Sequence, residues 1–195
     1  MSLKRNVLAN YFGQAYAAVM ALAFVPLYIK YLGIEAYGLI GIFVVLQAWL
    51  TLLDMGMKPA LAREMARFTG GGIGAQSVCD LLRSVEVIAL VIAALTGVGI
   101  YLAADWLATS WVRPEQLSED AVVKAFTLMG LVVAARFVEN IYTNSIAGLQ
   151  RQVLQNAITI VMATLRGLGS VAILIWVSPT IEAFFIWQGL SLIHI

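Results

Sequence analysis

Two apolar runs, Ala125 to Ala147 and Asn156 to Val177, each carry an arginine near the middle. Each is about 20 residues, enough to cross a ~30 Å hydrocarbon core as a helix. At ~1.5 Å per residue, Arg136 lies roughly 16 Å and Arg166 roughly 15 Å from the start of its run, so both reach the bilayer midplane. A guanidinium there costs at least about 2.5–3.5 kcal/mol unless it faces a polar cavity or a partner. The chain is thereby confined to architectures that supply one.

Polar residues accompany both arginines at helical spacing. Glu139, Asn140, Thr143 and Asn144 fall on the face of Arg136, and Gln152, Gln155, Asn156 and Thr159 lead up to Arg166 on its own face. The Gly148 to Arg151 connection is short, which predicts antiparallel neighbours. Two polar stripes running from one membrane surface to mid-depth describe half of a water-filled cavity, closed at its far side.

Composition agrees: 62% of the chain is hydrophobic and 12% charged, with mean hydropathy +0.90, against about 25% charged in soluble domains. A single cysteine, Cys79, excludes an internal disulfide and most metal-site patterns, and the only histidine, His194, is two residues from the end. No catalytic residue, metal site or cofactor is expected, and no nucleic-acid partner.

Taken in order, the apolar segments predict an all-α polytopic transmembrane helix bundle with spans at about 7–29, 38–54, 86–104, 122–147 and 154–177, and a truncated sixth from about 181. Asn6, Asn10 and Gln14 form an i, i+4, i+8 stripe in the first span, open to interhelical hydrogen bonding or to ligand contact, and Pro26 predicts a kink. Residues 30–37 read as a short loop around Gly33. In the second span Gln47, Thr51 and Asp54 crowd toward one end. Between Met55 and Phe68, Leu61, Met65 and Phe68 oppose Lys58, Arg63, Glu64 and Arg67. That is an amphipathic helix on the inner membrane surface or a solvated link between spans. The glycines at 70, 71, 72 and 74 lack the strand and the Gly-Lys-Ser/Thr of a phosphate loop and read as a flexible turn. Asp80, Arg83 and Glu86 predict surface ion pairs, and Trp106 and Trp111 interfacial anchors.

Lys4, Arg5, Lys58, Arg63, Arg67, Arg83 and Arg151 gather on one side, against Lys30, Arg113 and Lys124 on the other, which predicts a cytosolic N-terminus. The last segment has had only about 15 residues since Ile181, short of the roughly 20 a crossing requires, and reads as an incomplete frame.

The stretches "PLYIKYLGIEAYGL" at 26–39, "LLDMGMKPAL" at 52–61 and "GLQRQVLQNAITIVMATLRGLGSV" at 148–171, with Gly-Gln at 13–14, resemble the polysaccharide-repeat flippases. These are the O-antigen and oligosaccharide translocases of the multidrug/oligosaccharidyl-lipid/polysaccharide exporter superfamily. The resemblance covers nearly the whole chain, and family members have about twice as many helices in two lobes, so it implies an N-terminal lobe whose C-terminal lobe is missing. It also implies a partner, an undecaprenyl-pyrophosphate-linked oligosaccharide flipped from the cytosolic to the outer leaflet of the bacterial inner membrane.

Arginine suits such a substrate, because it stays charged and forks onto phosphate oxygens. Arg136, Arg166, Asn140, Thr143, Asn156, Gln14 and Gln47 are then the expected substrate-binding residues, with Glu139 and Asp54 in ion-pair or coupling roles. The structural alternative has Arg136 held by Glu139 at i, i+3 and Arg166 by backbone carbonyls near Gly167 and Gly169. An ion-coupled multidrug antiporter would instead use Glu139 as its mid-depth carboxylate. A glycosyl ligase or polymerase would need a larger external loop than 106–120, and a purely structural subunit leaves both arginines without purpose.

Overall fold

The computed structural model describes residues 3–193. His194 and the side chains of Lys4 and Arg5 lie outside the described set. Helices are α1 Leu3–Leu32, α2 Ile34–Leu53, α3 Met57–Thr69, α4 Ala75–Trp106, α5 Glu119–Gly148, α6 Gln152–Trp176 and α7 Ile181–Ile193, with a π-helical turn, Leu107–Val112, continuing α4. No strand occurs among the described residues, so the expected all-α bundle is what forms. Five of the helices are long and apolar enough to cross a membrane. Their outward faces carry large apolar side chains such as Leu8, Leu22, Trp49, Leu102, Leu131 and Trp176, each at least 67% exposed. Lipid is the solvent that such a surface requires, and the chain is a multi-pass membrane protein.

The spans are longer than their apolar runs. Residues 30–37 form no loop: Gly33 alone separates α1 from α2, at φ 84. Its N–H closes the last turn on Ile29 and its carbonyl opens the next from Tyr37, so one left-handed residue suffices. α1 continues through Pro26. α4 begins eleven residues before the expected 86, because polar side chains at a membrane surface are no obstacle to helix, and Arg83 forms no ion pair with Asp80 or Glu86. Asp80 accepts from Gln76, and Glu86 accepts from the Tyr142 hydroxyl of α5. The glycine run is the C-terminal cap of α3: the N–H groups of Gly70, Gly71 and Gly72 bond back to Ala66, Phe68 and Arg67, with Gly71 at φ 76. α5 opens on Ser118, whose Oγ accepts from Ala121 N, with Glu119 and Asp120 favouring the positive end of the helix dipole.

α5 is the centre of the bundle. It packs chiefly on α4, and also on α7, α3 and α2, while α6 packs chiefly on α1. The short turn after α5 therefore does not make α5 and α6 full-length neighbours, as its length alone suggests. The buried core of α5 includes Phe126, Met129, Val133, Phe137 and Ile141. On the side of the bundle opposite the N-terminus, the Glu35 carboxylate accepts from the backbone N–H groups of Glu115, Gln116 and Leu117, tying the start of α2 to the loop before α5.

On the N-terminal side, α3 packs its apolar face on α5. Its apolar residues Leu61 and Met65 are buried, packed where α5 ends at Gly148. A Cβ at Gly148 would sit 2.6 Å from the Ala62 carbonyl oxygen and 2.7 Å from its Cα, which are backbone atoms that cannot rotate away. Gly148→Val is accordingly expected to displace α3 and cost about 3 kcal/mol, lowering the thermal midpoint of the purified protein by roughly 6–12 °C. Gly38→Ala, where a Cβ meets nothing within 4 Å, is the matched control and is expected to leave the midpoint unchanged.

Candidate functional site: a cavity around Arg136

Arg136 is the hub. Its Nη1 donates to Gln47 Oε1 of α2 at 3.2 Å and its Nη2 to Gln188 Oε1 of α7 at 2.9 Å. The guanidinium also lies over the Phe43 ring, with Cζ 5.5 Å from the ring centroid. Gln188 is oriented by its own amide nitrogen, which donates to the buried Ser170 hydroxyl of α6 at 3.3 Å. Neutral dipoles and an aromatic face thus surround this cation. Among the described residues no carboxylate lies within 4 Å of it, and its Nε is buried without a partner.

Arg166 is arranged differently. Its Nη2 donates to both carboxylate oxygens of Glu139, at 3.0 and 3.1 Å, forming an ion pair whose side chains are only 18% and 20% exposed. Its Nε, too, is buried and unpartnered. Neither expected structural pairing forms: Glu139 does not hold Arg136, and backbone carbonyls near Gly167 and Gly169 do not hold Arg166. Helical side chains tilt toward the N-terminus of their own helix. On α5 that tilt carries Arg136 away from Glu139 and toward α7. On α6, which starts at the end where α5 stops, it carries Arg166 down to Glu139.

Between the two guanidiniums lies a cavity of about 410 Å³ bounded by α1, α2, α5, α6 and α7. Gln47, Arg136, Arg166 and Gln188 are among its polar lining, and its aromatic walls are Phe24, Tyr28, Tyr37, Phe43 and Phe184. Phe24 fits only because position 167 is glycine, where a Cβ would sit 2.1 Å from its ring. With Glu139 neutralising Arg166, the cavity keeps one uncompensated positive charge, on Arg136.

The rest of the expected polar wall lies elsewhere. Asn140 is exposed and lines a neighbouring, smaller cavity beside Arg136. Thr143 returns its hydroxyl to the Glu139 carbonyl and Asn144 its amide to the Asn140 carbonyl, each one turn back on α5. Asn156 is buried between α6 and α1, bonded to the Gln152 carbonyl and seated on Gly13, where a Cβ would be 2.3 Å from its Oδ1. It packs α6 on α1 and does not line the cavity between the arginines. Gln14 is exposed and bonds Asn10. Asp54 caps α3, its Oδ2 accepting from Lys58 N at 3.3 Å, and it too is absent from the cavity lining.

Gln188, Ser170 and Phe43 escaped the sequence reading. The signal for Gln188 was present, a lone amide within an otherwise apolar segment, and such a group in a membrane marks a polar contact by the same reasoning as the arginines. Comparison with known proteins returns no match, neither to a family model nor to a curated protein nor to a solved structure.

Proposed function

We propose that this chain is the N-terminal lobe of a flippase that carries undecaprenyl-pyrophosphate-linked oligosaccharide repeats from the cytosolic to the outer leaflet of a bacterial inner membrane. One observation carries the reading: Arg136, deep in a five-helix cavity, has a positive charge that no carboxylate balances. A buried charge is retained at such cost when a counter-charge arrives with the ligand. A pyrophosphate supplies one, and the free Nε–H groups of Arg136 and Arg166 add donors for its oxygens. The aromatic walls suit sugar rings or an apolar stem. Ion-coupled drug antiport would need a carboxylate free to exchange protons, whereas Glu139 already neutralises Arg166.

Deletion of the gene is the test of class. Lipid-linked oligosaccharide is expected to accumulate on the cytosolic leaflet and surface polysaccharide to disappear, with drug sensitivity unchanged. Normal surface polysaccharide with raised drug sensitivity would establish the antiporter instead.

Orientation belongs to the same reading. Lys58, Arg63, Arg67, Arg83 and Arg151 sit on the N-terminal side of the bundle, and Lys30, Arg113 and Lys124 on the other, the bias of a cytosolic N-terminus. In a Cys79→Ser background, an impermeant maleimide added outside intact cells is expected to label Ser118→Cys and to spare Gly72→Cys, both at exposed positions. The opposite pattern would invert the transport direction.

A further inference from the structure

A second cavity, of about 220 Å³, shares Val44, Gln47 and Arg136 with the central one. Its other walls are Ala48, Leu50 and Thr51 of α2, Lys58 of α3, and Phe137 and Asn140 of α5. The Arg136–Gln47 hydrogen bond, 3.2 Å long, therefore stands between two chambers, a vestibule on the α3 side and the central cavity beyond. Lys58 Nζ lies 6.0 Å from the Phe137 ring centroid, over the side chain next to Arg136. Its charge is unspent: among the described residues no carboxylate lies within 4 Å of Nζ, and Asp54, one turn earlier, bonds only the Lys58 backbone N–H. The vestibule thus holds two cations, one at its α3 end and one at its floor, with no acid lining it.

We propose that this vestibule is a second anion site, in which Lys58 and Arg136 together hold a phosphate or pyrophosphate group before the Arg136–Gln47 bond opens and admits it to the central cavity. Lysine suits the outer position, being a mobile point charge that can follow an entering anion, while the planar fork of Arg136 suits the inner one. Because Arg136 lines both chambers, it can keep contact with the anion throughout the passage. The onward transfer rests on the central-cavity reading, but binding in the vestibule does not.

The test is the acetylation rate of individual lysines in the purified full chain in phosphatidylcholine nanodiscs, read by peptide mass spectrometry. Inorganic pyrophosphate is expected to slow acetylation of Lys58 roughly tenfold, a modest occupancy effect, while the exposed Lys30 and Lys124 react at unchanged rates. The protection is expected to vanish in Arg136→Gln. Protection by the soluble anion assigns the site to free phosphates, and protection only after phosphatidic acid is added to the nanodisc assigns it to a lipid headgroup; either result supports a phosphate site. Equal slowing of all three lysines, or unchanged Lys58 reactivity with both probes, overturns it. Protection that persists in the paired Glu139→Gln, Arg166→Gln variant supports a vestibule independent of the central cavity. Protection lost in that variant would place the anion in the central cavity alone and overturn the second site.

Discussion

Replacing Arg136 by alanine is expected to abolish export while the protein inserts at near wild-type abundance. The substitution removes the one uncompensated cation of the cavity. Charge-assisted hydrogen bonds contribute about 1.5–3 kcal/mol each, so losing two of them weakens anion binding by at least about 3 kcal/mol, more than 100-fold. Folding responds little, because a guanidinium at this depth costs about 2.5–3.5 kcal/mol, which its two bonds to Gln47 and Gln188 offset at about 1.5–3 kcal/mol each. Arg136→Lys keeps the charge but loses the fork, and intermediate export is expected from it. Surface polysaccharide together with quantitative membrane immunoblotting reads both effects. A well-expressed Arg136→Ala protein with normal export would remove the cationic cavity from the mechanism, and a protein that fails to accumulate would make Arg136 a structural residue.

Glu139 and Arg166 are expected to behave in the reverse manner. Each neutralises the other at a site where both are largely shielded from water, so Glu139→Gln strands Arg166 and should cost about 3 kcal/mol of stability. Abundance should then fall more than the pH dependence of transport changes. Arg166→Ala is expected to lose stability similarly, whereas Arg166→Lys keeps the pair and part of the export. Removing both charges, as in Glu139→Leu with Arg166→Met, is expected to recover most of the lost stability, a coupling that a double-mutant cycle of thermal midpoints measures directly. Additive losses would mean that the two side chains do not hold each other. A stable Glu139→Gln protein with altered pH dependence would give the carboxylate a proton-coupling role.

The contrast between these two arginines marks how far the sequence was legible. Apolar run length located five spans, and mid-run position singled out Arg136, Arg166 and Glu139, because the cost of a charge in lipid depends on depth, which run length measures. Gln47 was found by another signal, its helical spacing with Thr51 and Asp54 toward one end of the second span. Partner choice depends on which helices meet and on which way each side chain leans, and neither can be read from one helix. Glu139 at i, i+3 from Arg136 is near it along α5, yet the tilt of side chains toward helix N-termini gives that carboxylate to Arg166. Asn156 shared a period with Arg166, and Gln14 one with Asn6 and Asn10, but a period defines a face without saying what the face touches. One faces Gly13 in a tight α1–α6 contact and the other points outward beside Asn10. Helix ends were missed where a single glycine, at 33, replaces the loop that its neighbours suggest.

The most direct test of the central claim is calorimetric titration of a polyprenyl diphosphate into the purified full chain in nanodiscs, with the corresponding uncharged polyprenol as control. The diphosphate is expected to bind and the alcohol not, with affinity falling more than 100-fold in Arg136→Ala and the heat diminishing at high ionic strength as the charges are screened. Equal affinity for the alcohol and the diphosphate, or undiminished diphosphate binding by Arg136→Ala, would show that the half-buried positive charge among α1, α2, α5, α6 and α7 is not there to receive an anion.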